Sequence, residues 1–283
     1  MQEIQKAVCA TLQWYQDQGV TDVLSDSPVN RFLAQDIAPL PLPVFEAPAA
    51  RRDSGVVAPA SAPVVLPRPS ELLQEAAALA QGAGDLSALS EVIAGFEGLG
   101  LKKTATRFVF ADGNPQARVM VIGDAPAAED DREGKAFQGE NGALLDKILG
   151  AIGLSRTAED PAQAVYLTNV LNWRPPGGRS LSPAELEMSV PFIQRHIALV
   201  RPEILVLCGG VTAKALLGAT ENLSKLRKNW HMYEGAAGEE PFAIPALVTY
   251  HPAYLLSTPS QKKAVWADML TLDKKRREIV TKK

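Results

Sequence analysis

The hydrophobic pattern of this chain changes character twice. Over residues 2–24, apolar side chains at Ile4, Val8, Leu12, Tyr15 and Val20 recur at helical spacing. Residues 39–69 lose that period and hold 8 of the 21 prolines among many Ala and Val, a composition that favours extended chain and buries no core. From residue 70 onward, helix and strand patterns alternate. Residues 70–81 and 85–97 read as helices, and short continuous apolar runs follow at 119–122, 165–168, 204–207 and 247–249. Runs of that length suit strands buried on both faces. Helical patterns separate them. Leu144, Leu145, Ile148, Leu149 and Ile152 share one face of residues 139–152, and residues 211–217 form another helix after the third run. Between these, Ser182, Pro183 and Glu185 make a helix start with a capping box, and Pro202 stops that helix after Leu186, Val190, Ile193, Ile197 and Val200 have formed one stripe. The alternation predicts an α/β fold over residues 70–283: three α-β-α layers around a central, mostly parallel, four-stranded sheet. An N-terminal helical segment (1–25) and a Pro/Ala-rich linker (26–69) precede it.

Each apolar run ends on residues with chemistry. The first leads into Gly123, Asp124, Ala125 and Pro126; the second into Asn169; the third into Cys208, Gly209 and Gly210; the fourth into Tyr250, His251 and Pro252. Ligands of open parallel sheets bind beyond the carboxyl ends of the strands, so Asp124, Asn169 and His251 are expected at one site. Residues 123–139 read as a long polar loop, and loops of that length are often functional. Phe137 is its odd member: it either anchors the loop to the core or offers a stacking surface for a base.

Composition narrows the classes. Formal net charge is −3, so bulk charge does not mark a strongly basic nucleic-acid binder, although a local basic groove is compatible with it. Two cysteines, Cys9 and Cys208, are too few for a disulfide framework or a four-thiolate metal site. Cys208 reads as a small core residue, and His196 and His231 as structural or exposed. No apolar run approaches the roughly 20 residues of a membrane span, and the N-terminus lacks the pattern of a signal peptide. A cytoplasmic, monomeric protein without membrane contact is the expectation.

Three motifs resemble those of the family-four uracil-DNA glycosylases. Gly123-Asp-Ala-Pro-Ala-Ala-Glu-Asp130 with Ala136-Phe-Gln-Gly139 is similar to that family's Gly-Glu-Ala-Pro-Gly-x-x-Glu-Asp and Pro-Phe-Val-Gly signatures. Thr168-Asn-Val-Leu-Asn-Trp-Arg-Pro-Pro176 resembles its Asn-Val-x-x-x-Arg-Pro-Pro strand, and Tyr250-His-Pro-Ala-Tyr-Leu-Leu256 its His-Pro-x-Tyr-Leu-Leu loop. The likeness runs in order from about residue 105 to about residue 272. It implies removal of uracil from DNA. Phe137 would stack on the extruded base, with Gly123 and Ala125 beside it. Asn169 would read the base edge and His251 would donate to O2, while Asp124, at the family's glutamate position, would help place water. Arg174, Arg179, Lys225, Arg227 and Lys228 would contact DNA; for the last three a solvated face is the competing reading.

The chain also departs from that pattern. The family carries a four-iron, four-sulfur cluster on four cysteines, but residues 85–107 hold no cysteine, Trp173 precedes Arg174, and Ser189 sits in the 182–200 helix. Such clusters need thiolates, so no cofactor and no metal are expected, with apolar packing around Trp173 filling the volume. Asp124 is one methylene shorter than glutamate, Ala127 replaces a glycine, Gln138 replaces a valine, and Ser257 stands where relatives often have a basic residue. These changes leave a second reading open, a catalytically degenerate DNA- or partner-binding module on the same fold. A nucleotide or small-molecule binder of flavodoxin-like architecture is a third, which no glycine-rich phosphate loop supports.

Overall fold

A computed structural model describes residues 69–237 and 240–281. The segments 1–25 and 26–68 lie outside the described residues. In chain order the elements are α1 (Pro69–Gly82), α2 (Leu86–Gly95), β1 (Ala111–Gly113), β2 (Val119–Gly123), α3 (Ala128–Glu133), α4 (Gly139–Gly150), β3 (Val165–Asn169), α5 (Pro183–Val200), β4 (Ile204–Cys208), α6 (Gly210–Leu217), α7 (Leu223–Leu226), β5 (Trp230–Ala237), β6 (Glu240–Thr249), α8 (Pro252–Ser257) and α9 (Lys262–Thr281).

The sheet order is β1-β3-β2-β4-β6-β5. The four apolar runs are the central strands β3, β2, β4 and β6, all parallel. The expected four-stranded sheet is extended by two antiparallel edge strands, β1 against β3 and β5 against β6. Both escaped the hydrophobic pattern for a physical reason. Ala111-Asp-Gly113 is short and polar, as suits an edge strand, and β5 mixes exposed and buried positions.

Side chains alternate across the sheet. Val119, Val121, Val165, Leu167, Ile204 and Val206 face a layer that includes Leu145 and Leu149 of α4 and Val265 and Met269 of α9. Met120, Ile122, Tyr166, Leu205 and Leu207 face Ile193 and Ile197 of α5 and Ala213 of α6. These are the expected three layers. A third cluster sets α1 and α2 against α5 through Ala76, Ala80, Leu89, Ile93, Phe96 and Phe192, with Trp173 and Leu171 joining it.

The local sequence signals act as expected at α5. The Ser182 side chain accepts from the Glu185 N–H, the Glu185 carboxylate accepts from the Ser182 N–H at 2.8 Å, and Pro183 occupies the first turn. The helix ends with Arg201 in the left-handed region at φ 51°, its guanidinium 4.3 Å from the centre of the Phe242 ring. The 123–139 segment differs from the expected structureless loop, because it holds the six-residue helix α3. Asp130 explains this: at the third helical position its Oδ2 accepts from the Ala127 N–H at 3.1 Å and satisfies a donor at the open first turn.

Candidate active site

The register of the central strands sets Gly123 directly opposite Asn169. Pairing continues past the strand ends, with Val170 N–H donating to the Gly123 carbonyl at 2.9 Å and Leu171 N–H to the Asp124 carbonyl at 3.0 Å. Asn169 is therefore held by the backbone lattice. It is 2% exposed, and its Nδ2 has no hydrogen-bond partner among the described residues. An unpaired buried donor costs about 1–3 kcal/mol, so this amide is held ready for an acceptor.

His251 reaches the same place from β6. The residue before a proline is driven out of the helical region; with φ −66° and ψ 141°, His251 becomes the N-cap of α8, with Pro252 in its first turn. Its Nδ1 accepts from the Ala253 N–H at 3.2 Å. An imidazole that accepts at Nδ1 carries its proton on Nε2 when neutral. Burial pushes the His251 pKa down, against the opposing pull of Asp124 and Asp130, so the ring is neutral at physiological pH and Nε2–H is a donor. That Nε2 lies 3.8 Å from Asp124 Oδ1. The same Asp124 oxygen accepts from the Ala125 N–H at 2.9 Å.

Phe137 comes from the turn before α4. It is 2% exposed, and its ring centroid stands 5.6 Å from that of His251 with the planes 26° apart. A Cβ added to Gly123 would lie 3.4 Å from His251 Nε2, 2.8 Å from Phe137 Cζ and closer still to Asn169 Oδ1. Three residues, two from strand ends and one from a turn, thus converge on one glycine, which has to be glycine because nothing larger fits.

Asp124, Ala125, Arg174, Arg179, Val211 and His251 line an adjoining cleft of about 380 Å³. Arg174 has no ion pair among the described residues, whereas Arg179 makes a two-pronged pair with Glu185 at 2.6 and 2.9 Å. That pair holds the Glu185 carboxyl down at about 2. The basic stretch after α6 divides. Lys225 and Lys228 are exposed. Arg227 is turned inward, 11% exposed, with Asp268 Oδ2 at 2.7 Å and the Tyr250 ring centre at 4.1 Å. Its grouping with the two lysines as a DNA contact does not match this placement; it braces the residue before His251. The Thr249 hydroxyl donates to the same Asp268 oxygen at 2.7 Å.

Sequence reasoning missed Asp130, Asp112 and Arg156. Asp130 is buried, and its Oδ1 accepts from the Gln138 N–H at 2.6 Å; burial raises its pKa while the backbone donors pull it back. The acidic run 129–131 reads as solvated surface, and only its position three residues after Ala127 hints at capping. Arg156, between α4 and β3, has no local signal at all.

Among the described residues no group of three or more His, Cys, Asp or Glu is placed to hold a metal ion. The donor set around Trp173 does not fit an iron–sulfur cluster. Trp173 is 7% exposed, its ring centroid lies 5.0 Å from that of Phe108 with the planes tilted by 48°, and it packs with Phe96, Leu99, Leu101 and Phe192. The Ser189 hydroxyl donates to the Glu185 carbonyl at 2.8 Å. Cys208 lies elsewhere, at the end of β4, with its thiol pushed up to about 12 by burial.

The family model for the uracil DNA glycosylase superfamily matches residues 110–270. The type-4 uracil-DNA glycosylase of Archaeoglobus fulgidus is 33% identical over 170 residues, 59% of this chain and 81% of the relative. That of Pyrobaculum aerophilum is 30% identical over 190 residues, 65% of this chain and 91% of the relative. That of Sulfurisphaera tokodaii is 32% identical over 177 residues, 62% of this chain and 75% of the relative.

Proposed function

The chain belongs to the type-4 uracil-DNA glycosylases of the uracil-DNA glycosylase superfamily, and on that footing we propose that it hydrolyses the N-glycosidic bond of uracil in DNA, as a monomer and without a cluster. The observation that carries this reading is the convergence of Asn169, His251 and Phe137 on Gly123.

In this reading the base leaves the stack, as base-modifying enzymes require, and enters beside Gly123. The Asn169 amide nitrogen donates to O4 and its oxygen accepts from N3–H. Cytosine presents the reverse pattern and would leave buried polar atoms unpaired, the kind of mismatch that gives large discrimination. Phe137 supplies an aromatic surface for the base; because His251 lies against the ring, the imidazole shifts as the base enters. The C1′–N1 bond breaks with its electron pair passing to the base, where charge collects on O2. The neutral His251 Nε2–H donates there, in a low-dielectric site where one such donor contributes about 3–4 kcal/mol. A water placed with the help of Asp124 adds to C1′ and releases its proton towards that carboxylate. Arg174 and the exposed Lys225 and Lys228 hold the phosphate backbone.

One observation favours the degenerate-module reading. Asp124, already short, turns Oδ1 back onto the Ala125 N–H, which limits its reach to a water. The decisive experiment incubates the full chain with single- and double-stranded oligonucleotides carrying one uracil, then splits abasic products with alkali. Strand scission at the uracil is expected. Binding without scission means the degenerate module, and neither binding nor scission leaves family and fold alone standing.

A further inference from the structure

Phe137 sits at φ 55°, a left-handed conformation that is strained for a non-glycine residue and persists only where its surroundings impose it. The surroundings here are unusually complete. Arg156, 12% exposed, donates from Nη2 to the Phe137 carbonyl at 2.9 Å and from Nη1 to the Ala136 carbonyl at 3.2 Å. Nη1 also meets Asp112 Oδ2 at 2.9 Å, and Nε donates to Asp146 Oδ1 at 2.8 Å. Gln138 closes the ring from the other side: its Nε2 donates to the same Asp112 oxygen at 3.0 Å and to the Ala136 carbonyl at 3.0 Å. The Phe137 carbonyl is also pressed against Gly142, where a Cβ would collide with it. Edge strand β1, the turn and the segment after α4 are thereby joined at one peptide.

We propose that Arg156 is a positioning residue for base capture, holding Phe137 in its left-handed pose through a brace shared with Asp112 and Gln138. Only a planar fork spans two successive carbonyls and a carboxylate at once; an ammonium cannot. Without the fork the turn relaxes towards ordinary φ, and the ring leaves its place at Gly123. The inference rests on the glycosylase reading for what the ring captures, but not for how the ring is held.

The test uses the full chain as wild type and as Arg156→Met, Arg156→Lys, Asp112→Asn, Phe137→Ala and the Arg156→Met/Phe137→Ala double variant. Amide exchange at Ala136 to Gly139 is compared with global stability from urea unfolding. Asp112→Asn keeps the side-chain shape and so keeps the test open if Arg156→Met fails to fold. Exchange at the Phe137 and Gln138 amides should quicken at least tenfold beyond any global change, with Arg156→Lys no better than Arg156→Met. Half-saturation for uracil DNA should rise roughly 5- to 150-fold, the range of one lost base–aromatic stack, with the rate at saturating DNA changing far less. In the Phe137→Ala background, Arg156→Met should add almost nothing, since both act through one ring. Unchanged local exchange overturns the proposal, as does a double variant in which the two effects multiply. If wild type excises no uracil, the glycosylase reading fails by itself; exchange and a titration with free uracil then decide between a held and an unheld ring, and absence of any uracil response overturns the capture role.

Discussion

Gly123→Ala is the sharpest single test of the proposed site, because it adds one methyl where Asn169, Phe137 and His251 meet. The added Cβ would stand 2.8 Å from Phe137 Cζ and closer to Asn169 Oδ1, whereas ordinary contact begins at 3.4 Å. Relief therefore requires the ring to withdraw by more than half an ångström and the amide by about 1 Å, and a displacement of that size at a positioned group costs about a hundredfold in rate. The fold should bear it: β2 keeps its ladder to β3 and β4, and overpacking of one methyl costs about 1–3 kcal/mol. Single-turnover excision from a uracil oligonucleotide, with urea unfolding in parallel, separates the two effects. A folded variant with wild-type excision would refute the reasoning, since the geometry leaves no room for both the methyl and a productive Asn169.

Other expectations follow from the same geometry. His251→Ala should lose about 3–4 kcal/mol of transition-state stabilisation, read as a slower single-turnover rate with DNA affinity nearly unchanged. Activity should be flat near neutral pH and fall only below 6.5, because burial lowers the His251 pKa and protonating Nδ1 breaks its bond to the Ala253 N–H; a pH–rate profile rising towards acid contradicts this. His196 is buried between Tyr166 and Phe110 and held neutral by burial, its pKa pushed down to about 3. The unfolded state therefore binds the extra proton below pH 6.5, stability falls as pH drops from 6.5 towards 3, and the loss at pH 5 is about 2 kcal/mol; urea midpoints at pH 7 and pH 5, with His196→Leu as the control that flattens the slope, check it. Trp173→Ala should cost about 3–5 kcal/mol by emptying an aromatic core, and the purified wild type should be colourless and free of stoichiometric iron.

What was legible in the sequence was whatever depended on local pattern. The four central strands, the long helices and the capping box at Ser182 follow from period and cap chemistry, and Asp124, Asn169 and His251 fall at strand ends where topology makes such residues meet. The edge strands were illegible because β1 is three residues long and polar. The role of Arg227 was illegible because its partner Asp268 lies far along the chain, so a surface cation and a buried one look alike. Arg156 and Asp130 hold Phe137 through backbone atoms, and no side-chain pattern records which carbonyl a guanidinium will reach.

The tie between Arg227, Asp268 and Thr249 has a consequence for the timing of assembly. On a chain made from its N-terminus, Gly123, Phe137 and Asn169 emerge together, whereas His251 and the α9 carboxylate that braces its neighbour Tyr250 emerge much later. In the proposed reading, the residues that would recognise a base are therefore synthesised before the one that would act on its bond and before the α9 carboxylate that braces its neighbour. Because α9 also carries the buried core side chains Val265, Met269 and Leu272, a chain ending at residue 261 is expected to lose cooperative urea unfolding together with excision; a truncated chain with the wild-type unfolding midpoint would show that α9 is dispensable for the fold.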